Sequence, residues 1–528
     1  MKRAIKAIGV AVAMSLALTA CGGGAVKQAA PVNDTFVIAP TLAVVTELDP
    51  GISSSNEIIA MQNVYESLTR YNPDTKEAEP LLATGWKSSK DGLTWIFTLR
   101  EGVKFHTGRA VDATAVKESL DRNRLAKTGG SFIWDAVKEI AATDPQTVTF
   151  SLSYPAAIPL IASAGYSSYI YDAQAAGPEN LTTWFNSGKD AGTGPYMITS
   201  WEKGAEIELK LAAFDGYWSG WEGKHFKNIE FRVTPDANTA WQLLQNGEVD
   251  YVHGLTPQLF QQAKKTSSVQ TSDQPTFQNL GVFFNTAAGP TSDVKVRKAL
   301  QLAIDYNGLV STLSGAGVAA SGMVPEGLLG YAQGLEGRTN LDEAAALLKE
   351  AGYGPGGKPL KLTMTYAQGN DDQAKLATLL VSAMQTLGGT IKATPMDWNA
   401  QWELGKSRDA EARQNIFVMN WYPYYPDAYS WFFDLFHSQK DLSFNMSYEE
   451  DPDLDAAIEV MPRLAATDPA KAQEAYAALQ KTILNDKALA AFPYVETGQR
   501  VLSDRVDGFV DNPAYSQVVH VYNTRVVD

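Results

Sequence analysis

Hydrophobic and polar positions along this chain change period several times. Asp34 to Ala39, Trp95 to Leu99, Ile207 to Leu211 and Ile229 to Val233 are short runs rich in β-branched and aromatic residues, and they predict strands. Between them apolar positions recur at helical spacing behind residues suited to capping. Asn56, after Ser53-Ser54-Ser55, predicts the cap of a helix reaching about Ser67. Asp112 predicts the cap of a helix carrying Val116 and Leu120. Asp236 does the same for one holding Trp241 and Leu244 that Gly247 ends, and Asp293 for one presenting Val296, Leu300, Ala303 and Ile304. Asn340 with Glu343 reads as a capping box, and Gly352 stops that helix. Asp468-Pro469 opens a long helix with Ala472, Tyr476, Leu479 and Ile483 on one face. Strands interleaved with capped helices predict α/β layers around a mixed sheet, in more than one lobe.

The first residues follow neither period. Lys2, Arg3 and Lys6 precede an apolar run from Ala7 to Ala17, short of the roughly 20 residues that span a bilayer and of the length expected for a signal-peptide core. The run ends in Leu18-Thr19-Ala20-Cys21, which resembles a bacterial lipobox. On that reading residues 1–20 are a lipoprotein signal, Cys21 carries the lipid, and residues 21–33, starting Cys21-Gly22-Gly23-Gly24, are a flexible tether. Cys21 is the single cysteine, so the chain cannot close a disulfide on itself.

Charge and length narrow the partners. The formal net charge is -15, and the three basic residues of the signal would take the mature chain to -18. An acidic surface repels nucleic acid and does not bind membranes through a basic patch. A chain of 528 residues exceeds the ~250–300 at which one core stops growing, so two large lobes or three domains are expected. With 12 Trp and 22 Tyr, rings are available to line a cleft.

Catalytic constellations are hard to assemble. Gly51-Ile52-Ser53 lacks the closing glycine of a nucleophile elbow. The five histidines, at 106, 225, 253, 437 and 520, are scattered, which argues against a zinc site, and His106 reads as structural. Gly192-Thr193-Gly194-Pro195 is a poor phosphate loop because Pro195 has no amide donor. Asp371-Asp372 is most simply a solvated pair. No cofactor is expected.

Three motifs carry a family resemblance. Asp91 to His106 (DGLTWIFTLREGVKFH) is the first; Gly192-Thr193-Gly194-Pro195-Tyr196 with Trp201 and Asp215-Gly216-Tyr217-Trp218 the second; Phe284-Asn285-Thr286 leading through Asp293 to Ile304-Asp305 the third. Together with their spacing they resemble the extracellular solute-binding proteins of dipeptide, oligopeptide and nickel ABC importers. The resemblance implies a type II periplasmic-binding-protein clamshell: three domains, two lobes and a hinge. Domain I would comprise residues 34–66, 191–273 and 495–528, domain II 67–190 and domain III 274–494. It further implies a receptor without catalysis, monomeric, which encloses a small-molecule solute between domains I and III and presents it to permease and ATPase subunits. Gly102, Gly194 and Gly216 would serve turns.

For the cleft, the resemblance points to Trp398 and Trp421 as aromatic walls. Trp402 lies one turn beyond Trp398 on the same helix face. Tyr422, Tyr424, Ser54, Ser55, Gln368 and Asn370 complete the candidate ligand contacts, and Asp427 orients a loop. Two departures matter. Relatives that bind a free peptide amine have an aspartate where this chain has Tyr424, and dipeptide binders have an arginine in the loop that here reads Ala367 to Asp372. Without those anchors a buried zwitterion is costly. Blocked peptides or oligosaccharides fit a cleft of rings and amides better. Chelated nickel on the same fold, and a secreted hydrolase or chaperone, remain alternatives, nickel being weakened by His437 as the one histidine near the cleft.

Overall fold

The computed structural model describes residues 34–527 except 41–44, 54, 55, 355, 441 and 516. The signal, Cys21, the tether, Ser54 and Ser55 therefore lie outside the described residues. The backbone is built on one large mixed sheet and one smaller antiparallel sheet. Across the large sheet the strands run Gly389–Met396, Leu360–Ala367, Ile416–Trp421, Val269–Phe284, Tyr494–Ser503, Tyr251–His253, Thr35–Ala39, Asn228–Arg232, Ile207–Ala213 and Tyr196–Trp201. The first strand of the chain is thus enclosed by strands some two hundred residues later, pairing parallel to both neighbours. Phe36 and Ile38 are fully buried on it, as alternation predicts.

Two long antiparallel strands, Val269–Phe284 and Tyr494–Ser503, join the two halves of this sheet. Their register breaks between Pro275 and Asn279. Pro275 has no amide to give the ladder, and the break turns Thr276 and Gln278 toward a cavity described below.

The smaller sheet orders Ala83–Ser88, Thr94–Leu99, Thr147–Leu152 and Val137–Asp144, all antiparallel. Phe97, Leu99, Val148, Phe150 and Leu152 point to one core with Trp134, which stacks on Phe150 at 5.9 Å. The helix Ala113–Leu125 covers this core with Val116 and Leu120, and Asp112 accepts from the Ala115 amide at 2.8 Å.

Caps at Asp236, Asp293 and Asp468 form as expected. Two do not. The helix after the serine run spans Ile58–Val64, with Glu57 and not Asn56 at its cap, and Glu57 makes no cap bond. Its carboxylate instead receives the Thr46 amide and hydroxyl. Nearly every residue of this short helix is buried, so packing sets its start. Asn340 does accept from the Glu343 amide, but Glu343 answers the Asn340 side chain and Arg338, and the Asn340 amide goes to Leu302. The box is half formed.

The glycine motif 192–194 is not a turn. A Cβ on Gly192 would lie 2.0 Å from the Val64 carbonyl oxygen, and Gly194 donates its amide to that oxygen at 2.9 Å. Close backbone approach explains both glycines. Gly216 does serve a turn, closed by the Tyr217 amide on the Phe214 carbonyl at 3.0 Å, and is pressed against the Phe214 ring; Gly102, at φ +76°, serves a turn as well. His106 is structural, as expected: one ring nitrogen meets Asp190 and the other the Gly194 carbonyl at 2.9 Å.

Candidate functional site

The rings singled out in the sequence converge on one cavity of about 470 Å³, within the ~300–1,000 Å³ typical of small-molecule sites. Two elements position them. On the helix Trp398–Gly405, Trp398 and Trp402 sit four residues apart and stack with centroids 5.4 Å apart and planes at 27°. On the strand Ile416–Trp421, Trp421 ends a run that pairs with the long strand at Asn279. Phe444, arriving from a loop, packs against Trp402 at 4.8 Å and Trp421 at 4.9 Å. Trp398 is 43% exposed, whereas Trp421 is 5% exposed and its Nε1–H has no acceptor among the described residues. Tyr422 and Tyr424 line the same space, with Asn420, Ser443 and Lys406.

Tyr422 and Tyr424 also line a smaller cavity of about 140 Å³ on their other side, walled by Ile59, Tyr166, Thr276, Gln278 and Pro513. The Tyr422 and Tyr166 hydroxyls hydrogen-bond to each other, and burial pushes both phenols above their ordinary range. Tyr424 stands edge-on to Phe132 at 4.8 Å and to Tyr166 at 6.0 Å. A Cβ on Gly130 would lie 3.0 Å from the Tyr424 ring. The segment from Trp421 to Tyr425 therefore carries side chains from the large sheet onto the smaller one, where Tyr425 joins the core.

Gln368 and Asn370 are not brought to either cavity. Gln368 donates its amide to Met396, and Asn370 caps the helix Asp371–Thr386 by accepting from the Gln373 amide at 3.0 Å. Asp427 accepts from the Tyr429 amide at 2.7 Å and from the Tyr476 hydroxyl at 3.3 Å, the contacts of a loop-orienting residue. His437 lines neither cavity and faces Glu459 and the Ser438 carbonyl. Among the described residues no group of three or more His, Cys, Asp or Glu is arranged to hold a metal ion.

Behind the rings lies a polar relay. Asn420 accepts from Gln373 at 2.9 Å and hydrogen-bonds Glu496, which also receives Gln278 at 2.5 Å. Burial pushes the Glu496 carboxyl from 4.5 up to about 7; Arg500 and Asn420 oppose the rise and Asp372 adds to it. A carboxyl raised on folding holds its proton more tightly in the native state. Stability therefore falls as pH climbs from about 4.5 to 7, by up to about 3 kcal/mol. Glu496→Gln keeps an acceptor for Gln278 without the charge. It is expected to match the parent near pH 4 and exceed it by about 1–3 kcal/mol near pH 8 in urea unfolding; equal gains at both pH values would refute the assignment.

Residues 77–443 match the family model for bacterial extracellular solute-binding proteins, family 5. The chain belongs to this family. Similar members include the probable D,D-dipeptide-binding periplasmic protein of Escherichia coli, 28% identical over 516 residues, covering 96% of this chain and 97% of that one. Among solved structures, the dipeptide-binding protein of a Pseudoalteromonas species in complex with Met-Leu aligns with TM-score 0.80 at 21% identity, over 93% of this chain and 100% of that one. The Brucella suis NikA complex with Fe(III)-EDTA gives 0.80 at 22%, with the same coverage. The family 5 solute-binding protein thus has the periplasmic-binding-protein fold expected of it. The matched span contains all three motifs, while Trp402, Lys406 and Phe444 belong to the lining of the aromatic cavity. Of the lining residues not anticipated, Lys406 continues the four-residue spacing of Trp398 and Trp402 and was open to discovery from sequence. Phe444 and Asn420 reach the cavity through tertiary packing and left no local signal.

Proposed function

We propose that this family 5 protein is the solute receptor of an ABC importer, held to the membrane by lipid on Cys21, and that it delivers its solute chemically unaltered. The aromatic cavity carries this reading: Trp398, Trp402 and Trp421 offer flat apolar faces, and among the described residues no carboxylate lines the space to pair a ligand amine. A free peptide N-terminus there would be an uncompensated buried cation, costing several kcal/mol. Peptide-like solutes with a blocked or absent amine fit better than the dipeptide seen with the Pseudoalteromonas relative. The division into domain I (34–66, 191–273, 495–528), domain II (67–190) and domain III (274–494) puts the cavity on domain III, with closure bringing the domain I residues Ile59 and Pro513 against Tyr422.

A second reading, an oligosaccharide, is favoured by the near-parallel Trp398–Trp402 pair, a surface on which a sugar face can rest. Both readings share one test. Native mass spectrometry of protein isolated from its own host should show a bound small molecule, and adding that molecule back to stripped protein should reduce the radius of gyration in solution scattering. The same molecule should be recovered with unchanged mass after prolonged incubation. Turnover would reject the receptor reading, and an unchanged scattering profile would reject closure.

A further inference from the structure

The aromatic cavity adjoins a second concavity of about 830 Å³, and Lys406 and Leu442 line both. Around that second space stand Arg408, Arg413 and Lys440 beside Lys406. Among the described residues none of these four cations is ion-paired. Arg413 is the most engaged: its Nε donates to the Ser407 carbonyl at 2.7 Å and its guanidinium lies 4.3 Å above the Tyr448 ring. Lys406 extends its ammonium group to 5.8 Å from the Trp402 ring. Two acids share the wall, but Glu449 is taken by Lys487 at 2.6 Å, leaving the exposed Glu450. In a chain of net charge -15 this is a local reversal of sign, and a concave surface of one sign concentrates ions of the other.

The polar groups of the aromatic cavity point the same way. Among the described residues Lys406 is its one charged lining residue and the Trp421 Nε1–H is a buried donor without an acceptor, and the Asn420 amide is already engaged by Gln373 and Glu496. Beyond the Ser443 and tyrosine hydroxyls, what the described lining offers a ligand is rings, a donor and cations. We infer that the ligand is an organic acid, its flat apolar part held among Trp398, Trp402 and Trp421 and its anionic group in a cationic compartment formed by Lys406, Arg408, Arg413 and Lys440. This inference rests on the aromatic cavity being the ligand site.

Two probes with the same rings and opposite charge test it: N-acetyl-phenylalanyl-phenylalanine, an acid without an amine, and phenylalanyl-phenylalanine amide, an amine without an acid. Calorimetric titration of the mature protein should show the acid bound about tenfold or more tightly than the amine, with the preference shrinking as salt is raised. The variant Lys406→Gln/Arg408→Gln, whose replaced side chains are exposed, should lose most of that preference without a change in melting temperature. Equal affinities, a preference for the amine, no binding of either probe, or a preference that survives the double variant would each overturn the inference. If the amine binds and Trp398→Ala/Trp421→Ala removes it, the cavity stands and the acid preference falls. If both probes bind the tryptophan variant undiminished, the cavity itself is not the site.

Discussion

Replacing Trp398 and Trp421 together by alanine is expected to weaken binding of the copurifying solute by about tenfold or more, at least ~1.4 kcal/mol, while unfolding remains cooperative. The two rings contribute in different ways. Trp398 is 43% exposed and stacked on Trp402, so removing it takes away a ligand face at little cost to the fold. Trp421 is 5% exposed at the end of a central strand and packs on Phe444 and Tyr424. Truncating a buried ring of that size costs about 3–5 kcal/mol, so a lowered melting temperature accompanies its loss of binding. Trp398→Ala alone separates the effects: affinity should fall while the melting temperature holds. Calorimetry with the copurified solute would place the site elsewhere if the double variant bound as the parent does.

How much of this could be read from sequence depended on distance along the chain. Caps at Asp112, Asp236, Asp293 and Asp468 need a partner two or three residues away, and each formed. The start of the Ile58–Val64 helix was misplaced because its neighbours in the core, not its own first turn, decide where it begins. Gly194 looked like a turn residue and Gly192 like part of a poor phosphate loop, but the reason for both is the Val64 carbonyl, more than a hundred residues earlier. The site divided the same way. Trp398 and Trp402 share a helix face, and Trp421 to Tyr424 are contiguous, so their convergence was legible in part. Phe444 closes the cavity from a loop whose path no periodicity describes, and the break at Pro275 that frees Thr276 and Gln278 belongs to a pairing with a strand over two hundred residues away.

Arg122→Met is expected to destabilise the protein by about 3–5 kcal/mol, because it leaves a buried carboxylate without its cation. Asp49 is fully buried; Arg122 meets both its oxygens, one through Nη1 at 2.7 Å, while Thr182 and the Gly51 amide donate to it at 2.6 and 2.9 Å. Arg122 also donates to the Tyr171 hydroxyl at 2.9 Å, and the Tyr171 hydroxyl donates in turn to the Asn123 Oδ1 at 2.7 Å. The pair ties the segment around Asp49 to the helix Ala113–Leu125, and none of these residues lines the aromatic cavity. Much of the loss should therefore come from the stranded charge. Asn in place of Asp49 still accepts from Gly51 and Thr182 without that charge, so Arg122→Met/Asp49→Asn should recover about 1–3 kcal/mol relative to Arg122→Met alone. Solute affinity, measured well below the melting temperature, should match the parent in both variants. A loss under about 1 kcal/mol in Arg122→Met would make the pair no stronger than an exposed one, and a double variant weaker than the single would show that hydrogen bonding, not charge compensation, is what Arg122 contributes.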